Sequence, residues 1–509
     1  MNNNEQLKRI LIATLISFVF FIAYDYFVLQ PQIKVSENNL TKEKVVVNNN
    51  FIKSTNKAPK EITQKTKIIA TIEAKNYEIK LDSLGRISSF ILKQAKFNTE
   101  NGKKLELISN KLPKPLEIRF ENKEINKLAF STDYIANIDK LIIDNKPETI
   151  ILTQKLKNQI VTKEITFYPN GRYDVKIKLS NPLIYYISQG YRPDIAIDPL
   201  TIHGLILKKN DKILEIIEDG DAKNENFEHV IFNASFDRYY TTLLFSKEPF
   251  NVVVSVDKDE NPISFIKLDS NSEFVGYIGP KYVDTLKSVD KELVDVVQYG
   301  VGTFFARNLF FLLDWFYKLV NGWGVAIILL VILVRIILFP LTYKGMVSMY
   351  KLQKLAPKLK EIQERYKKDP QKLQMHMMKL YKEHNVNPLG GCLPLLLQIP
   401  IFYGIYKLLL YSIELKGASF IWIKDLSVMD PYFILPILMG ATMYVHQKIT
   451  PTNFQDPMQE KVFKFLPLIF TIMMATFPAG LVLYWTVNNI LSIIQQYLIN
   501  KILSSKVKK

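Results

Sequence analysis

The chain has 509 residues, 48% hydrophobic and 23% charged, and its mean hydropathy of +0.04 is high for so charged a sequence, so apolar and polar stretches must be segregated along it. Lys and Arg outnumber Asp and Glu 66 to 49, and the +17 balance invites comparison with nucleic-acid binders or membrane-surface proteins. A lone cysteine, Cys392, excludes a disulfide framework and a multi-cysteine zinc site, and the five histidines form no HExxH, so neither a metal nor a cofactor is expected.

Lys8 and Arg9 precede an apolar run from Ile10 to Leu29, whose 20 residues match the hydrocarbon thickness of a bilayer. No small-x-small cleavage site follows before Gln30 and Pro31. Residues 1-30 therefore read as a cytoplasmic start and a retained transmembrane anchor, with a cleaved signal peptide as the rival. Asp25, between Tyr24 and Tyr26 near the far end, reaches water at headgroup level on this reading. Residues 31-70, rich in Asn, Lys and Thr without periodicity, read as a flexible linker.

From 71 to 280 the hydrophobic period is two. Tyr77, Ile79 and Leu81 alternate with Glu78 and Lys80; Tyr173, Val175, Ile177 and Leu179 alternate with Asp174, Lys176 and Lys178. Val252, Val253 and Val254 run apolar without a break, as in a deeper strand, and Pro169-Asn170-Gly171 marks a hairpin of open turn type. The region is expected to be one mostly antiparallel β domain of the sandwich class, its lysines a solvated face. In 281-320 the spacing turns helical, with Val289, Leu293, Val296 and Val297 expected on one interfacial amphipathic helix, followed by an approach to the membrane from Phe304.

Spanning candidates follow at about 322 to 342, 392 to 411, 431 to 447, 465 to 478 and 480 to 499, which with the anchor makes six. The expected division is transmembrane helix 2 in 321-343, a cytoplasmic helical hairpin in 344-388, helices 3 to 6 in 389-500 and a basic tail in 501-509. The loop 344 to 388 carries eleven basic and four acidic residues, so both it and the amino terminus belong in the cytoplasm and the β domain outside. Within the loop, Met349, Leu352, Leu355, Leu359 and Ile362 form one stripe, Asp369-Pro370 a turn, and Leu373, Met377, Leu380 and Tyr381 a second stripe. This basic hairpin, with Lys351, Lys354, Lys358, Arg365 and Met377 as contact candidates, is suited to a nascent client, a ribosome or anionic lipid. A loop that only fixes topology is the alternative.

Arg335 is the one charge in the run from Gly324 to Phe339, about 13 Å along the helix from Lys344. Against lipid it costs at least roughly 2.5 kcal/mol, which favours a hydrated groove over snorkelling. In the last span Asn488, Ser492 and Gln495 or Gln496 recur on one helix face, equally suited to helix-to-helix glue, and Gln398 is placed to join the same interior. No carboxylate within the apolar cores matches Arg335, which argues against a proton- or sodium-coupled transporter.

Gly322-Trp323-Gly324, Val334-Arg335, Phe339-Pro340-Leu341-Thr342, the block from Asn387 to Phe402, Asp430-Pro431-Tyr432 and the block from Phe477 to Trp485 with Asn488-Asn489 resemble the bacterial YidC-type membrane protein insertases. The match runs from about Tyr277 to Ser505, and the anchor with a large β domain is similar to the Gram-negative form. The resemblance implies an α-helical polytopic inner-membrane protein with six transmembrane helices, five forming the insertase core, and a periplasmic all-β super-sandwich related to those of sugar-binding enzymes and largely dispensable for insertion. It also implies a hydrophilic groove open to cytoplasm and lipid, with Arg335 matching the groove arginine, and no catalytic residue or nucleotide hydrolysis. The client groove is thus expected at Arg335, Gln398, Trp485, Asn488 and Ser492. Expected partners are nascent membrane proteins, the Sec translocon, ribosome or targeting components and anionic lipids, with no direct DNA partner. Relatives often carry a threonine where this chain has Val331, and a second tyrosine where it has Trp485. A small-solute transporter and a sugar-binding envelope protein are the other function classes.

Overall fold

The computed structural model describes residues 66–99, 101–197, 201–300, 303–366, 369–384, 393–450 and 457–505, the side chains of 349, 353, 370, 393–399, 457–460 and 503–505 excepted. The anchor 10–29, most of the linker and Cys392 lie outside the described residues.

Two sheets face each other across one core. In the five-stranded sheet, Leu105–Glu106, Ile87–Leu92, Tyr77–Asp82 and Ile68–Ala74 run antiparallel in that order, and Lys140–Ile143 adds a parallel edge with Thr71 opposite Lys140. The second sheet has twelve strands, with the 17-residue Tyr240–Val256 between Glu225–Phe236 and Ser272–Pro280. Alternation is realised side chain by side chain: Tyr173, Val175 and Ile177 are fully buried, while Lys176 and Lys178 are exposed. Val252, Val253 and Val254 are all buried. The Gln159–Phe167 and Arg172–Leu179 hairpin closes with Phe167 opposite Tyr173. Gly171 takes φ +89° there, and a Cβ on it would stand 2.6 Å from the Ile278 carbonyl oxygen, so no other residue fits.

Helix α1 (Lys123–Ser131) starts where the Asn122 side chain accepts from the Glu124 and Ile125 backbone N–H groups. After the last strand the expected single helix through Val289 and Val297 does not form. Helix α2 (Val283–Val289) stops at Asp290, whose extended backbone (φ −159°) ends it and whose side chain caps a 3-10 helix at Lys291–Val296. Leu293, Val296 and Val297 are buried in a core shared with Phe232 and Phe236 of the sheet. Helical periodicity was legible, but Asp290, a strong capping residue, splits it. The amphipathic helix is α3 (Thr303–Val320), which buries Ala306, Phe310 and Leu313 and exposes Phe304, Phe311, Trp315 and Leu319.

Helix α4 (Trp323–Arg365) is continuous for 43 residues through Pro340 and Pro357, so the expected boundary at 343 is not a break: the span and the first hairpin arm are one rod. Helix α5 (Pro370–Glu383) returns after Asp369, which accepts from the Lys372 N–H at 3.1 Å. Leu355, Leu359 and Leu380 are buried in the seam, with Leu352, Ile362, Met377 and Tyr381 against them. The remaining helices are α6 (Leu393–Tyr411), α7 (Ile434–Ile449), α8 (Pro457–Met474) and α9 (Ala479–Ser505). Helix α8 ends at Met474, so Ala475 to Pro478 form the turn into α9 and not the end of the span expected at 465 to 478. Among the described residues one stretch, Trp323–Leu352 with mean hydropathy 2.9, is by itself long and apolar enough to cross a bilayer. Ile336 and Ile337 on α4, Ile437 on α7, Leu468 and Ile472 on α8 and Ile494 on α9 add a broad exposed apolar surface.

Helices α7 and α8 meet closely at Gly440. A Cβ there would lie 1.8 Å from Thr471 Oγ1, which donates to the Pro467 carbonyl at 2.8 Å. Gly440→Leu is expected to cost about 1–3 kcal/mol through overpacking, read as a lower Tm of the detergent-solubilised protein. Thr471→Ala combined with Gly440→Ala is expected to restore wild-type Tm.

Candidate functional site

Arg335 lies at mid-length of the apolar part of α4, facing α9. Its Nε donates to Asn488 Oδ1 at 2.9 Å and its Nη2 to the Asn488 carbonyl at 3.0 Å and to Ser492 Oγ. Ser492 Oγ also donates to the Asn488 carbonyl at 2.8 Å, the acceptor that a serine hydroxyl reaches one helical turn back. One turn further along, Gln495 Nε2 donates to Thr342 Oγ1 at 2.8 Å. The face expected for Asn488, Ser492 and Gln495 or Gln496 is thereby divided: Gln495 joins the α4 side, whereas Gln496 bonds Asn500 at 2.9 Å. Asn489 reaches the Met439 carbonyl of α7 at 3.4 Å. Helix α9 therefore carries polar contacts to α4 and to α7, as buried amides demand.

Beside Arg335 the pocket is apolar: Val331, Val334, Leu338, Ile401 and Tyr484 line it with Asn488, and its cavity volume is about 10 Å³, room for about one water molecule. No lining residue is a carboxylate. Val331 is buried in this wall and presents only methyl groups to it. Trp485 lies one residue on from Tyr484, with Phe402 at 4.7 Å and Phe470 at 5.4 Å between ring centroids, in an aromatic cluster joining α6, α8 and α9. Gln398 falls in α6, but its side chain lies outside the described residues.

The β-domain end of the bundle is capped by the loop 412–430. Ala479 N–H donates to the Val428 carbonyl at 2.7 Å and Gly480 N–H to that of Leu426 at 2.9 Å, so the loop satisfies the first donors of α9. Asp430 is buried and accepts from Trp422 Nε1 at 3.3 Å, Tyr432 N–H at 3.1 Å and Leu435 N–H at 2.8 Å, fastening the loop to α7. In the sequence it stands in the Asp430-Pro431-Tyr432 block; in the fold it is a structural clasp. Gly324 leaves room for Phe420, whose ring a Cβ would meet at 2.2 Å.

The same loop meets the β domain at Glu414, whose Oε1 accepts from the Val283 N–H at 3.4 Å. Burial pushes its carboxyl up to about 7, with Asp314 and Asp284 adding to the rise and the Val283 and Glu414 N–H groups opposing it. Because the folded value exceeds the ordinary 4.5, the cost of enclosing this carboxyl is least below about pH 4.5, where it is neutral in both states, and the folded state loses stability as pH rises from about 4.5 to about 7. The Tm of Glu414→Gln is accordingly expected to vary less across that window than that of the wild type; identical profiles would refute the assignment.

In the hairpin, Lys351, Lys354, Lys358 and Arg365 are exposed, Arg365 beside Glu361 at 3.5 Å. Met377 is corrected: it packs into the seam between α4 and α5, and the methionines that face outward are Met375 and Met378. Sequence reasoning also passed over Lys407, a charge inside the apolar run 392 to 411. Its Nζ lies 5.5 to 5.8 Å from the ring centroids of Tyr403, Tyr406 and Tyr411. The signal that would have found it is the one that found Arg335, a cation within a spanning candidate.

Residues 315–506 match the family described as 60Kd inner membrane protein. The membrane protein insertase YidC of Campylobacter jejuni is 48% identical over 519 residues, covering 100% of this chain and 98% of the relative. That of Wolinella succinogenes is 51% identical over 517 residues, covering 98% of this chain and 95% of the relative. A crystal structure of an active YidC insertase with its first transmembrane domain resolved is 21% identical, covers 85% of this chain and 92% of its own, and superposes with a TM-score of 0.38.

Proposed function

The chain belongs to the YidC family of membrane protein insertases of the bacterial inner membrane, and from that premise we propose that it moves nascent membrane proteins into the bilayer through the space between α4, α6 and α9. The observation that carries this reading is Arg335, a permanent cation hydrogen-bonded to Asn488 and Ser492 beside an apolar wall. A polar or acidic tail can exchange the Asn488 and Ser492 contacts for its own carboxylate and so enter the bilayer at reduced cost, while its hydrophobic segment slides past Phe402, Trp485 and Phe470 towards lipid. Only binding and partitioning are involved, with no covalent step.

The proposed topology has six spans: residues 10–29, then α4 to Lys344, α6, α7, α8 and α9, with both termini and the hairpin in the cytoplasm and the β domain in the periplasm. The eleven basic residues of 344 to 388 support that orientation. The exposed Lys351, Lys354, Lys358 and Arg365 are the contact surface for client, ribosome or targeting components and for anionic lipid, and larger clients are handled with the Sec translocon, where the protein acts as an assembly chaperone. A carboxylate-coupled transporter is disfavoured because no lining residue of the Arg335 pocket is acidic.

The test is insertion of a short single-span client with an acidic tail into liposomes containing only this protein, scored by protection of the tail from added protease. Insertion above protein-free liposomes is expected. No gain from folded, correctly oriented protein would restrict the reading to translocon-dependent assembly.

A further inference from the structure

Helix α9 is gripped from two sides. Asn488 and Gln495 are bonded to Arg335 and Thr342 of α4. Asn489 instead reaches the Met439 carbonyl at 3.4 Å and Thr442 Oγ1 at 3.5 Å, and Asn500 the Ile449 carbonyl at 3.5 Å, all of α7. At about 100° per residue Ser492 falls between these two faces, and there the Arg335 guanidinium meets it. The wedge of α9 between α4 and α7 is therefore centred on Ser492.

On α7, Thr442 faces α9, while Gly440 abuts Thr471 and Gln447 bonds the Phe463 carbonyl, both of α8. His446, one turn after Thr442, is turned about 40° from it towards α8, on the edge of α7 between its contacts with α9 and α8. Its ring is half-buried, and it and the Arg335 guanidinium act on each other electrostatically. His446 also stands in the last turn of α7, where Thr450 Oγ1 bonds back to its carbonyl at 2.7 Å and the helix dipole favours a cation. The charged side chains described on the helices packed against α7 are Lys461 and Lys464 of α8 and Lys501 of α9, with Lys448 on α7 itself; Tyr444, Tyr484 and Tyr497 are the other titratable groups of α7 and α9. None of these described groups is a carboxylate, so the counter-charge that fits an imidazolium here is one carried by a client.

We propose that His446 is a specificity residue of the insertion groove, which takes up a proton when an acidic tail arrives and, with Arg335, holds two of its carboxylates. The proton comes from cytoplasmic water, sits on the imidazole and returns to water once the tail has moved on; no bond of the client is made or broken. Because the tail-bound state holds more protons than the free state, capture of acidic tails is favoured as pH falls through the range in which an imidazole titrates. Tails without a carboxylate gain nothing from it. This rests on the proposed insertase function and deepens it, by setting which tails the groove prefers.

The experiment uses the full chain in liposomes and single-span clients whose tails are equal in length and carry either no carboxylate or three, with insertion scored by protease protection at about pH 6 and about pH 8, either side of the imidazole range. With the wild type the acidic tail is expected to insert roughly 5-fold better at the lower pH, the size that one linked proton gives, and the neutral tail equally at both. His446→Gln is expected to lose that step, and His446→Lys, a fixed cation, to lose it while keeping the preference for the acidic tail. A step that persists in His446→Gln, or that appears equally with the neutral tail, overturns the proposal; the second result is also what an anionic lipid held by His446 would give. If Tm shows both variants unfolded, calorimetry of the wild type in nanodiscs decides, with the acidic tail bound in buffers of different ionisation enthalpy: proton uptake supports the proposal and its absence overturns it. Insertion of both clients no better than in protein-free liposomes overturns the insertase reading itself, whereas insertion without a pH step removes only the role of His446.

Discussion

Arg335→Ala is expected to reduce insertion of a single-span client with an acidic tail by roughly 10- to 100-fold, the worth of about 1.5–3 kcal/mol for a hydrogen bond to a charged group. Among the described residues that line the pocket, Val331, Val334, Leu338, Ile401, Tyr484 and Asn488, the guanidinium is the one charge. Clients that enter through the translocon are expected to lose much less. Because Arg335 also ties α4 to Asn488 and Ser492, the alanine variant loosens that helix pair, and two controls separate the effects. Arg335→Lys keeps the charge and is expected to restore much of the insertion, whereas Arg335→Gln keeps a hydrogen bond to α9 without charge and is expected to behave like alanine. Protease protection in liposomes, with Tm measured in parallel, decides it. An equal loss for both client classes, or a glutamine variant as active as wild type, would sink the assignment of the groove.

The largest stability effect is expected in the β domain. Arg86 donates from Nε to Asp82 at 2.9 Å and from Nη1 to Glu117 at 2.8 Å, and Arg119 Nη2 donates to the other Glu117 oxygen at 2.6 Å. All four side chains are buried. Burial works against the Arg86 charge, but Asp82 and Glu117 outweigh it and hold the guanidinium above its ordinary value. Lys163, wholly buried beneath them, donates to the Gly85 carbonyl at 2.8 Å and the Leu116 carbonyl at 2.7 Å, bracing two positive-φ turns. Arg86→Leu leaves two buried carboxylates with too few donors and is expected to cost about 3–5 kcal/mol. For a domain of this size that is a fall in Tm of roughly 10 °C, followed by the circular dichroism of the sheet. Asp82→Leu and Glu117→Leu added to Arg86→Leu are expected to recover part of the loss, since an apolar replacement removes the unpaired charges. A shift below about 1 kcal/mol would mean that water reaches the cluster.

Much of the architecture is local and therefore legible. Period two in Tyr173, Val175 and Ile177 put those side chains in the core because strand geometry alone sends alternate residues to one face. Asp369-Pro370 marked the hairpin turn because an acceptor at the N-cap and a proline at the first helical position start a helix whatever surrounds them. The same local logic misled where two signals competed. Val289 to Val297 kept helical spacing, but Asp290 satisfies the next helix start better than it continues the last one. In the hairpin, period identified the apolar stripe that includes Met377 yet said nothing of whether it faced the partner arm or a client.

By itself the sequence determined the segregation into an apolar helical half and a β half, the number of spanning candidates, and Arg335 as a charge that needed a polar neighbour. Each of those follows from local composition, because hydropathy and period are properties of contiguous residues. Which neighbour Arg335 has was decided only by the tertiary structure: Asn488 lies 153 residues away, and its amide serves α4 while the next residue, Asn489, serves α7. The tertiary structure likewise decided that Glu414 is enclosed against Val283 and that Tyr403, Tyr406 and Tyr411 surround Lys407. The physical reason is that the free energy of a charge depends on the dielectric and the donors and acceptors around it, and those are contributed by helices and strands that meet only after the chain has folded.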